Sequence, residues 1–295
     1  MRPSSYPEGF SFDEINDISS NSEPGFTQPW HLNGRCPEGT IPIRRTKEED
    51  LLRAGSVSNF GRKNIDLDVH EYATHGEAGD KYYGMSVEMN VWNPHTQEAN
   101  EFSISQFWVA NGEYGQDLDT IEAGMIDDGF ESTGCYNLAC PGFVQVDHQI
   151  AMGARVTPYS KYDGDQIGLK FYVWKDVHGG GDWWLKIGNI NLGYWPSSIF
   201  SILSNSASKV RWGGDVINYN SGGQHTTTQM GNGHFAEEGP RKASFFKSLR
   251  VIDGSQLPRP PRDTTTFMSK PNCYNILDYG EYFYFGGPGR NPNCP

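Results

Sequence analysis

Apolar and polar residues alternate with a period of two along much of the chain beyond residue 67. In KYYGMSVEMNVW, Met85, Val87 and Met89 alternate with polar or small residues, which is typical of a half-buried strand. The same pattern predicts strands in EFSISQFWVA, GFVQVDHQIAMGARV, QIGLKFYVWKD, DWWLKIGN, SKVRWGGDVIN and ASFFKSLRVID. Seven or more strands joined by turns rich in Gly, Pro and Asn predict an all-β fold, an antiparallel β-sandwich.

Two segments have helical rather than strand character. In GYWPSSIFSILSNSAS, Pro196 suits the first turn of one short helix, and EEDLLRAG forms a helical stretch nearer the N-terminus. The rest of residues 1 to about 65 is polar and holds too little apolar material for its own core. We therefore predict a removable segment at 1–65 and one main domain at 66–295.

The net charge of the chain limits the classes of molecule that it is expected to bind. Its 295 residues carry 36 acidic and 24 basic side chains, a formal net charge of −12, which disfavours nucleic acid and anionic membranes as partners. No apolar run approaches the roughly 18 residues of a membrane span. Residues 1–10 lack the apolar centre of a signal peptide, so we expect no secretion signal in this sequence.

The cysteines nevertheless suggest an oxidising, extracellular compartment. Cys135 and Cys140 lie five residues apart, and Cys273 and Cys294 bracket an aromatic, glycine-rich tail, spacings that suit two local disulfides. Cys36 is left over. The alternative is a reducing compartment with five free thiols.

The familiar motifs of nucleophilic, metal and phosphate chemistry are missing from the sequence. It contains no GxSxG, HExxH, GxxxxGKS or paired CxxC. His225 and His234 lie near each other, but no third ligand accompanies them at metal spacing. We predict no metal and no cofactor, which leaves carboxylate chemistry.

Two carboxylates lie on strand faces beside glycine. In DTIEAGM, period-two alternation places Glu122 on the face opposite Ile121. In SKVRWGGDVIN it places Asp215 on the face opposite Trp212. The neighbouring glycines leave room for a substrate backbone. Taken alone, either carboxylate is more typical of a solvated strand face than of a catalytic group.

A family resemblance gives these residues more weight. The segments IEAGM, STGCYNLACPGFVQ, GDWWLKIG, GYWPSSIF, WGGDV, HTTTQMGNGHFAEEG, KASFF and YFYFGGPGRNPNCP resemble, in this order, the neprosin family of plant glutamic peptidases. The likeness extends from about residue 67 to the end. CPEGTIPIRRT resembles the end of that family's activation peptide, which would make 1–65 a truncated pro-segment and place Cys36 in it.

The resemblance implies a β-sandwich with two glutamates on its concave face and cleavage of peptides next to proline under acidic conditions. By position the first glutamate is Glu122, and the second position is occupied by Asp215, one methylene shorter. The segment between Glu122 and Cys135 is also shorter than in the family. We interpret Glu238, another carboxylate of the family pattern, as structural.

Such a carboxylate pair has a clear chemical rationale. Two carboxyl groups in one groove cannot both ionise cheaply, so one keeps its proton while the other activates water. Gln229 and His225 are candidate donors to the oxyanion. A proline ring needs an apolar pocket. Candidates for its walls are Trp108, Trp183, Trp184, Trp195 and Trp212.

The sequence thus predicts a secreted, acid-active endopeptidase that cleaves next to proline, with proline-containing peptides and its own pro-segment as partners. Two alternatives stay open. A jelly-roll glycosidase also pairs two carboxylates in an aromatic groove. A catalytically weak or inactive β-sandwich acting as an extracellular binding protein is favoured by Asp215 and by the shortened segment.

Overall fold

The computed structural model describes residues 26–34, 36–37, 39–47, 69–98, 100–113, 116–127, 138 and 142–295. These residues form fourteen strands. In chain order the strands are β1 His70–Tyr82, β2 Gly84–Asn90, β3 Ser103–Asn111, β4 Asp119–Asp127, β5 Val144–Gln145, β6 Gly168–Lys175, β7 Trp183–Ile187, β8 Ile190–Trp195, β9 Ala207–Ile217, β10 Ser244–Ile252, β11 Pro258–Arg259, β12 Thr265–Met268, β13 Asn275–Asp278 and β14 Phe283–Gly286.

The strands form two sheets in which all neighbouring pairs are antiparallel. The five-stranded sheet has the order β12-β1-β9-β3-β4. The nine-stranded sheet has the order β13-β14-β10-β2-β6-β7-β8-β5, and β11 pairs with β10 outside this path. In the five-stranded sheet, β9 lies at the centre and β4 at an edge, so the two predicted carboxylates lie on strands separated by β3.

The core lies between the two sheets. Side chains of the five-stranded sheet, such as Phe107 and Trp212, are fully buried against side chains of the other sheet, such as Val87 and Phe171. The rings of Phe107 and Phe171 meet across the interface at 6.1 Å between centroids. Alternate residues of β3, β4 and β9 point into this core, which leaves the other face of the five-stranded sheet for a site.

The C-terminal tail is fastened to the sandwich by a disulfide and a buried tyrosine. Cys273 and Cys294 are bonded, with their Cα atoms 5.4 Å apart, as predicted. The Tyr274 hydroxyl donates to the Thr228 carbonyl at 2.7 Å, and burial raises the pKa of this tyrosine well above its usual value. Cys36 is a free thiol.

The all-β antiparallel sandwich of seven or more strands is confirmed, but the short helix is not formed as predicted. After Pro196 the chain makes a single 3-10 turn, Ser197–Ile199. The segment 142–156, predicted as one strand, contributes the two-residue strand β5. There the Asp147 carboxylate accepts from the N–H groups of Gln149 and Ile150 at 2.7 and 2.9 Å. The backbone N–H groups of this loop therefore have hydrogen-bond partners although they do not pair with a neighbouring strand.

Three predictions fall wholly or partly outside the described residues. They are the Cys135–Cys140 disulfide, the helical stretch EEDLLRAG and the boundary near residue 65. In the part of the chain that is described, no helix is long and apolar enough to cross a membrane.

Candidate functional site

The candidate site lies on the face of the five-stranded sheet that points away from the core. Residues opposite each other in an antiparallel ladder share a face. Glu122 on β4 lies opposite Trp108 on β3, and Trp108 lies opposite Arg211 on β9. The predicted alternation in β4 is therefore correct, because Ile121 is 1% exposed in the core while Glu122 is half-buried on the other face.

Glu122 is held by two polar neighbours on this face. Gln106 Nε2 donates to Glu122 Oε2 at 3.5 Å, and Thr120 Oγ1 donates to Glu122 Oε1 at 3.3 Å. Gln106 is itself 2% exposed, so its amide is fixed by its surroundings. Its neighbour in the ladder is Gly124, which has no side chain and allows the two strands to lie close at this point.

A cavity of about 270 Å³ opens at the β4 edge of the sandwich, and Glu122 and Gln106 belong to its wall. Most of its lining is apolar, from both sheets and from the loop 150–156. Trp92 and Trp195 also line it, and neither is fully buried. A carboxylate and an amide in an apolar cleft are a typical arrangement for a small polar site with an apolar binding surface.

Asp215 lies on the same face but in a different environment. Its carboxylate contacts His70 Nδ1 at 3.0 and 3.1 Å, and both side chains are 0% exposed. The His70 ring stacks on Tyr72 at 5.8 Å between centroids and meets Phe102 edge-on at 5.5 Å. Asp215 is thus half of a buried histidine–carboxylate pair enclosed by aromatic rings.

The ladder does not place the two predicted carboxylates side by side. Asp215 lies opposite Ile104 on β3, whereas Glu122 lies opposite Trp108. Four residues along a strand correspond to about 13 Å, and two strands across to about 10 Å. In a flat sheet the two Cα atoms would thus be about 16 Å apart. The pairing of Glu122 with Asp215 as one catalytic dyad stays a prediction.

The predicted oxyanion donors, His225 and Gln229, have other hydrogen-bond partners. His225 Nε2 contacts Glu71 Oε2 at 2.7 Å, and its Nδ1 contacts the Thr226 carbonyl at 2.8 Å. Burial acts to lower the pKa of His225, but these two hydrogen bonds outweigh it and raise the pKa above 6.5. The Gln229 carboxamide oxygen accepts from the His95 N–H at 2.9 Å. These contacts are typical of structural residues.

Glu238 also has structural contacts. Its carboxylate accepts from the Tyr162 hydroxyl at 2.8 Å and contacts His234 Nδ1 at 2.7 Å. Partial burial acts to raise the pKa of Glu238, but the hydrogen bonds from His234 and Tyr162 outweigh it and lower the pKa. The residue belongs to the 3-10 turn Ala236–Glu238, two turns before β10, in agreement with our interpretation of it as a supporting group.

Of the five tryptophans proposed for a proline pocket, three are core residues. Trp183, Trp184 and Trp212 are at most 2% exposed. Trp108 and Trp195 are partly exposed, and Trp195 lines the same cavity as Glu122.

One group of possible metal ligands occurs in the described part of the chain, where His225 lies with Cys273 and Cys294 within 4.8 Å. The two sulfurs are bonded to each other and are not thiolate ligands.

The N-terminal segment reaches the same cavity. Thr27 forms an antiparallel bridge with Thr157, with N–H to O distances of 2.9 and 3.0 Å, and Phe26 and Gln28 line the cavity with Glu122. The Gln28 side chain is 3% exposed and hydrogen-bonded to the main chain of Ala151.

Sequence reasoning missed Gln28, His70 and Gln106. These residues reach the site through pairing between segments that are far apart in the sequence. The one local signal was that Gln106 shares a predicted strand face with Trp108.

Among solved structures, this chain has a weak likeness to SCP-B, a member of the eqolisin family of peptidases, in a complex with the tripeptide Ala-Ile-His. The TM-score is 0.41 and the identity 10%, and the match covers 73% of this chain and 96% of that one. Scytalido-glutamic peptidase with a peptide-based transition-state analogue gives a TM-score of 0.36 and 12% identity, covering 73% and 97%.

Two family models match the sequence itself. The neprosin activation peptide model matches residues 1–86, which extends past the predicted boundary at 65 through β1 into β2. The neprosin model matches residues 125–288, a range that contains Asp215 and begins three residues after Glu122. Since that match covers more than half of the 295 residues, the chain belongs to the neprosin family.

Proposed function

We propose that this chain is a glutamic-type peptidase in which Glu122 is the carboxylate that activates water. One observation carries the proposal: Glu122 and the Gln106 amide meet at 3.5 Å on the wall of an apolar cavity. A general base must lie within reach of the water, and an amide beside it supplies a donor for the charge that develops on the carbonyl oxygen.

The chemistry follows from these two groups. The Glu122 carboxylate takes a proton from water as the oxygen attacks the scissile carbonyl carbon. A glutamine amide has two N–H donors, so Gln106 can contact Glu122 and also donate to the oxyanion. The protonated Glu122 then gives its proton to the leaving nitrogen, the carbon–nitrogen bond breaks, and an acid and an amine result.

Asp215 is a second acidic group on the same face of the sheet, and its role can be tested directly. The family resemblance favours a catalytic role for it. Its full burial and its contact with His70 favour a role in positioning β1 and β9. The second role fits the contacts better, because the Asp215 carboxylate is held by His70 and Asp215 is not among the residues that line the cavity with Glu122.

Proline selectivity, acid activity and secretion are the finer parts of the proposal. Trp195 and Trp92 line the same cavity as Glu122 and offer apolar ring surface there, which suits a proline ring that lacks an N–H group. Activity under acidic conditions is proposed from the family resemblance. The Cys273–Cys294 bond supports an oxidising compartment.

A second candidate function is an extracellular binding protein without catalysis. The buried position of Asp215 favours it, because among the residues that the structure describes Glu122 is then the one carboxylate that lines the cavity. The two functions differ in a simple assay. The protein, before and after proteolytic cleavage that releases its N-terminal segment, is incubated with a proline-containing peptide and a matched peptide in which alanine replaces proline, between pH 3 and 7, and the products are analysed by mass.

We expect cleavage of the proline peptide at acidic pH and none in a Glu122→Gln variant. Glu113→Gln is the matched control, since Glu113 is 69% exposed and pairs with Lys209 at the rim of the same sheet. A peptide that stays intact at every pH with both forms of the protein would favour the binding protein. Equal cleavage of both peptides would contradict the proposed proline selectivity but would support the proposed peptidase activity.

A further inference from the structure

Gln28 is bound by main-chain groups as a ligand would be. Its Nε2 donates to the Ala151 carbonyl at 2.9 Å and to the Ala154 carbonyl at 3.3 Å. Its Oε1 accepts from the Ala151 N–H and from Trp30 Nε1, both at 2.8 Å. One residue, Ala151, thus offers its N–H and its C=O to a single carboxamide, the same pairing that a strand offers to a peptide group.

Part of this cradle is held by contacts within the loop itself. Gln145 Nε2 donates to the carbonyls of Asp147 and Ile150 at 2.9 and 2.6 Å. The Ala154 N–H donates to the Ala151 carbonyl at 3.1 Å, which closes a turn around Gly153, whose φ of +73° suits glycine. These contacts do not involve the N-terminal segment, which adds its own: His31 Nε2 contacts the Gln149 carbonyl at 2.8 Å, and Ile43 forms a bridge with Met152.

The chain that enters the cradle is placed like a peptide substrate. Thr27 pairs with Thr157 as a short antiparallel addition, the main-chain mode by which sheet edges take extended peptides. Gln28 follows, and Pro29 comes next and starts a 3-10 turn at the surface. The cavity that receives Phe26 and Gln28 is also lined by Glu122.

From these contacts, and on the basis of the proposed peptidase function, we propose that the Ala151–Ala154 turn is a glutamine-selective subsite. In the uncleaved chain Gln28 fills it, and after removal of the pro-segment it takes the glutamine side chain of a peptide, with a Gln-Pro pair as in Gln28-Pro29. Two carbonyls and one N–H select a carboxamide. A carboxylate would put an oxygen against both carbonyls, and an aliphatic side chain would leave the Ala151 N–H and the Ala154 carbonyl without the Gln28 hydrogen bonds.

The test uses the full chain with a specific protease site introduced at 60–64, so that the N-terminal segment can be cut while both pieces stay together. The off-rate of the cut segment is followed by a fluorophore at its N-terminus. The variants are Gln28→Glu and Gln28→Ala. Leu32→Ala is the control, because Leu32 is in the same segment and 91% exposed. We expect the two Gln28 variants to dissociate at least ~10-fold faster and the control to match the parent.

A competition experiment needs no variant of the protein. The hexapeptide Phe-Thr-Gln-Pro-Trp-His is added to the cut parent protein, beside versions with Glu or Leu in place of Gln. As the cut segment dissociates, we expect the Gln peptide to compete with it for the subsite at least ~10-fold better than the other two peptides. Equal competition by all three, competition by none, or a Gln28→Glu segment that leaves at the parent rate would overturn the subsite.

These results are independent of the peptidase proposal. If the Gln peptide competes selectively but no peptide is cleaved, the subsite stands and the proposed activity fails. If peptides are cleaved with no preference for glutamine before proline, the activity stands and the subsite fails.

Discussion

Replacing Asp215 by asparagine separates a structural role of this carboxylate from a catalytic one. Asparagine keeps the shape of the side chain and removes its charge. Asp215 and His70 are both 0% exposed and 3.0 Å apart, so the change turns a charge-assisted hydrogen bond into a neutral one in a site without solvent. Hydrogen bonds to charged groups contribute about 1.5 to 3 kcal/mol.

That free energy corresponds to a measurable thermal shift. For a domain of about 150 to 250 residues, 1 kcal/mol lowers Tm by about 2 to 4 °C, so Asp215→Asn should lower Tm by roughly 3 to 12 °C. Asp215→Glu should also destabilise, because an extra methylene in a packed site costs about 1 to 3 kcal/mol. Asp163→Asn is the control and should leave Tm unchanged, since Asp163 is 63% exposed.

The assay combines differential scanning calorimetry with peptide cleavage per folded molecule at acidic pH. The structural role predicts a lower Tm and retained cleavage for both Asp215 variants. The reasoning is refuted if Asp215→Asn keeps the parent Tm and loses cleavage, or if Asp215→Glu cleaves faster than the parent. Either result would mean that Asp215 acts on the substrate as the family resemblance implied, and that the sheet rearranges to bring it toward Glu122.

Two further predictions concern stability. The double variant Cys273→Ala/Cys294→Ala opens a loop with a sequence separation of 21 and should lower the unfolding free energy by about 3 kcal/mol, measured by urea denaturation; no change in the midpoint would contradict this. The raised pKa of His225 means that its pairing with Glu71 stabilises the fold below about pH 6.5 and that this stability is lost as pH rises through the raised value. The unfolding free energy of the parent minus that of Glu71→Gln should therefore be larger at pH 5.5 than at pH 8.5. A difference that grows as the pH rises would contradict this prediction.

Local alternation was enough to predict the faces of the strands that carry the candidate carboxylates. Ile121 and Trp212 point into the core and Glu122 and Asp215 to the other face, because the side-chain period of a strand is fixed at two. The order of the strands and their offset do not follow from this period. The four-residue offset that separates Glu122 from Asp215 along β3 depends on pairings between segments about a hundred residues apart, which alternation does not encode.

The incorrect predictions share a physical cause. The helix expected after Pro196 is reduced to one turn because distant carboxylates satisfy its backbone: Asp182 accepts from the Ser197 N–H, and Asp119 from those of Ile202 and Leu203. Apolar spacing cannot reveal such acceptors. The same holds for the loop 146–157, where side chains of Gln145 and Asp147 replace the ladder predicted from the apolar pattern.

Gln106 and His70 show the limit of sequence reasoning at the site itself. Gln106 becomes relevant because β3 pairs with β4 and brings its amide to Glu122, and His70 because β1 pairs with β9 beside Asp215. In isolation, a glutamine or a histidine on a strand has no distinguishing local signal.

The central claim is that the Glu122 carboxylate activates the water that cleaves the peptide. The most direct measurement is kcat/KM at acidic pH for a proline-containing peptide, compared among the parent, Glu122→Gln and Glu113→Gln. General acid–base catalysis contributes about 10²- to 10⁴-fold, so Glu122→Gln should lose at least about a hundredfold with an unchanged Tm while Glu113→Gln keeps the parent rate. Cleavage by Glu122→Gln at the parent rate would contradict the claim.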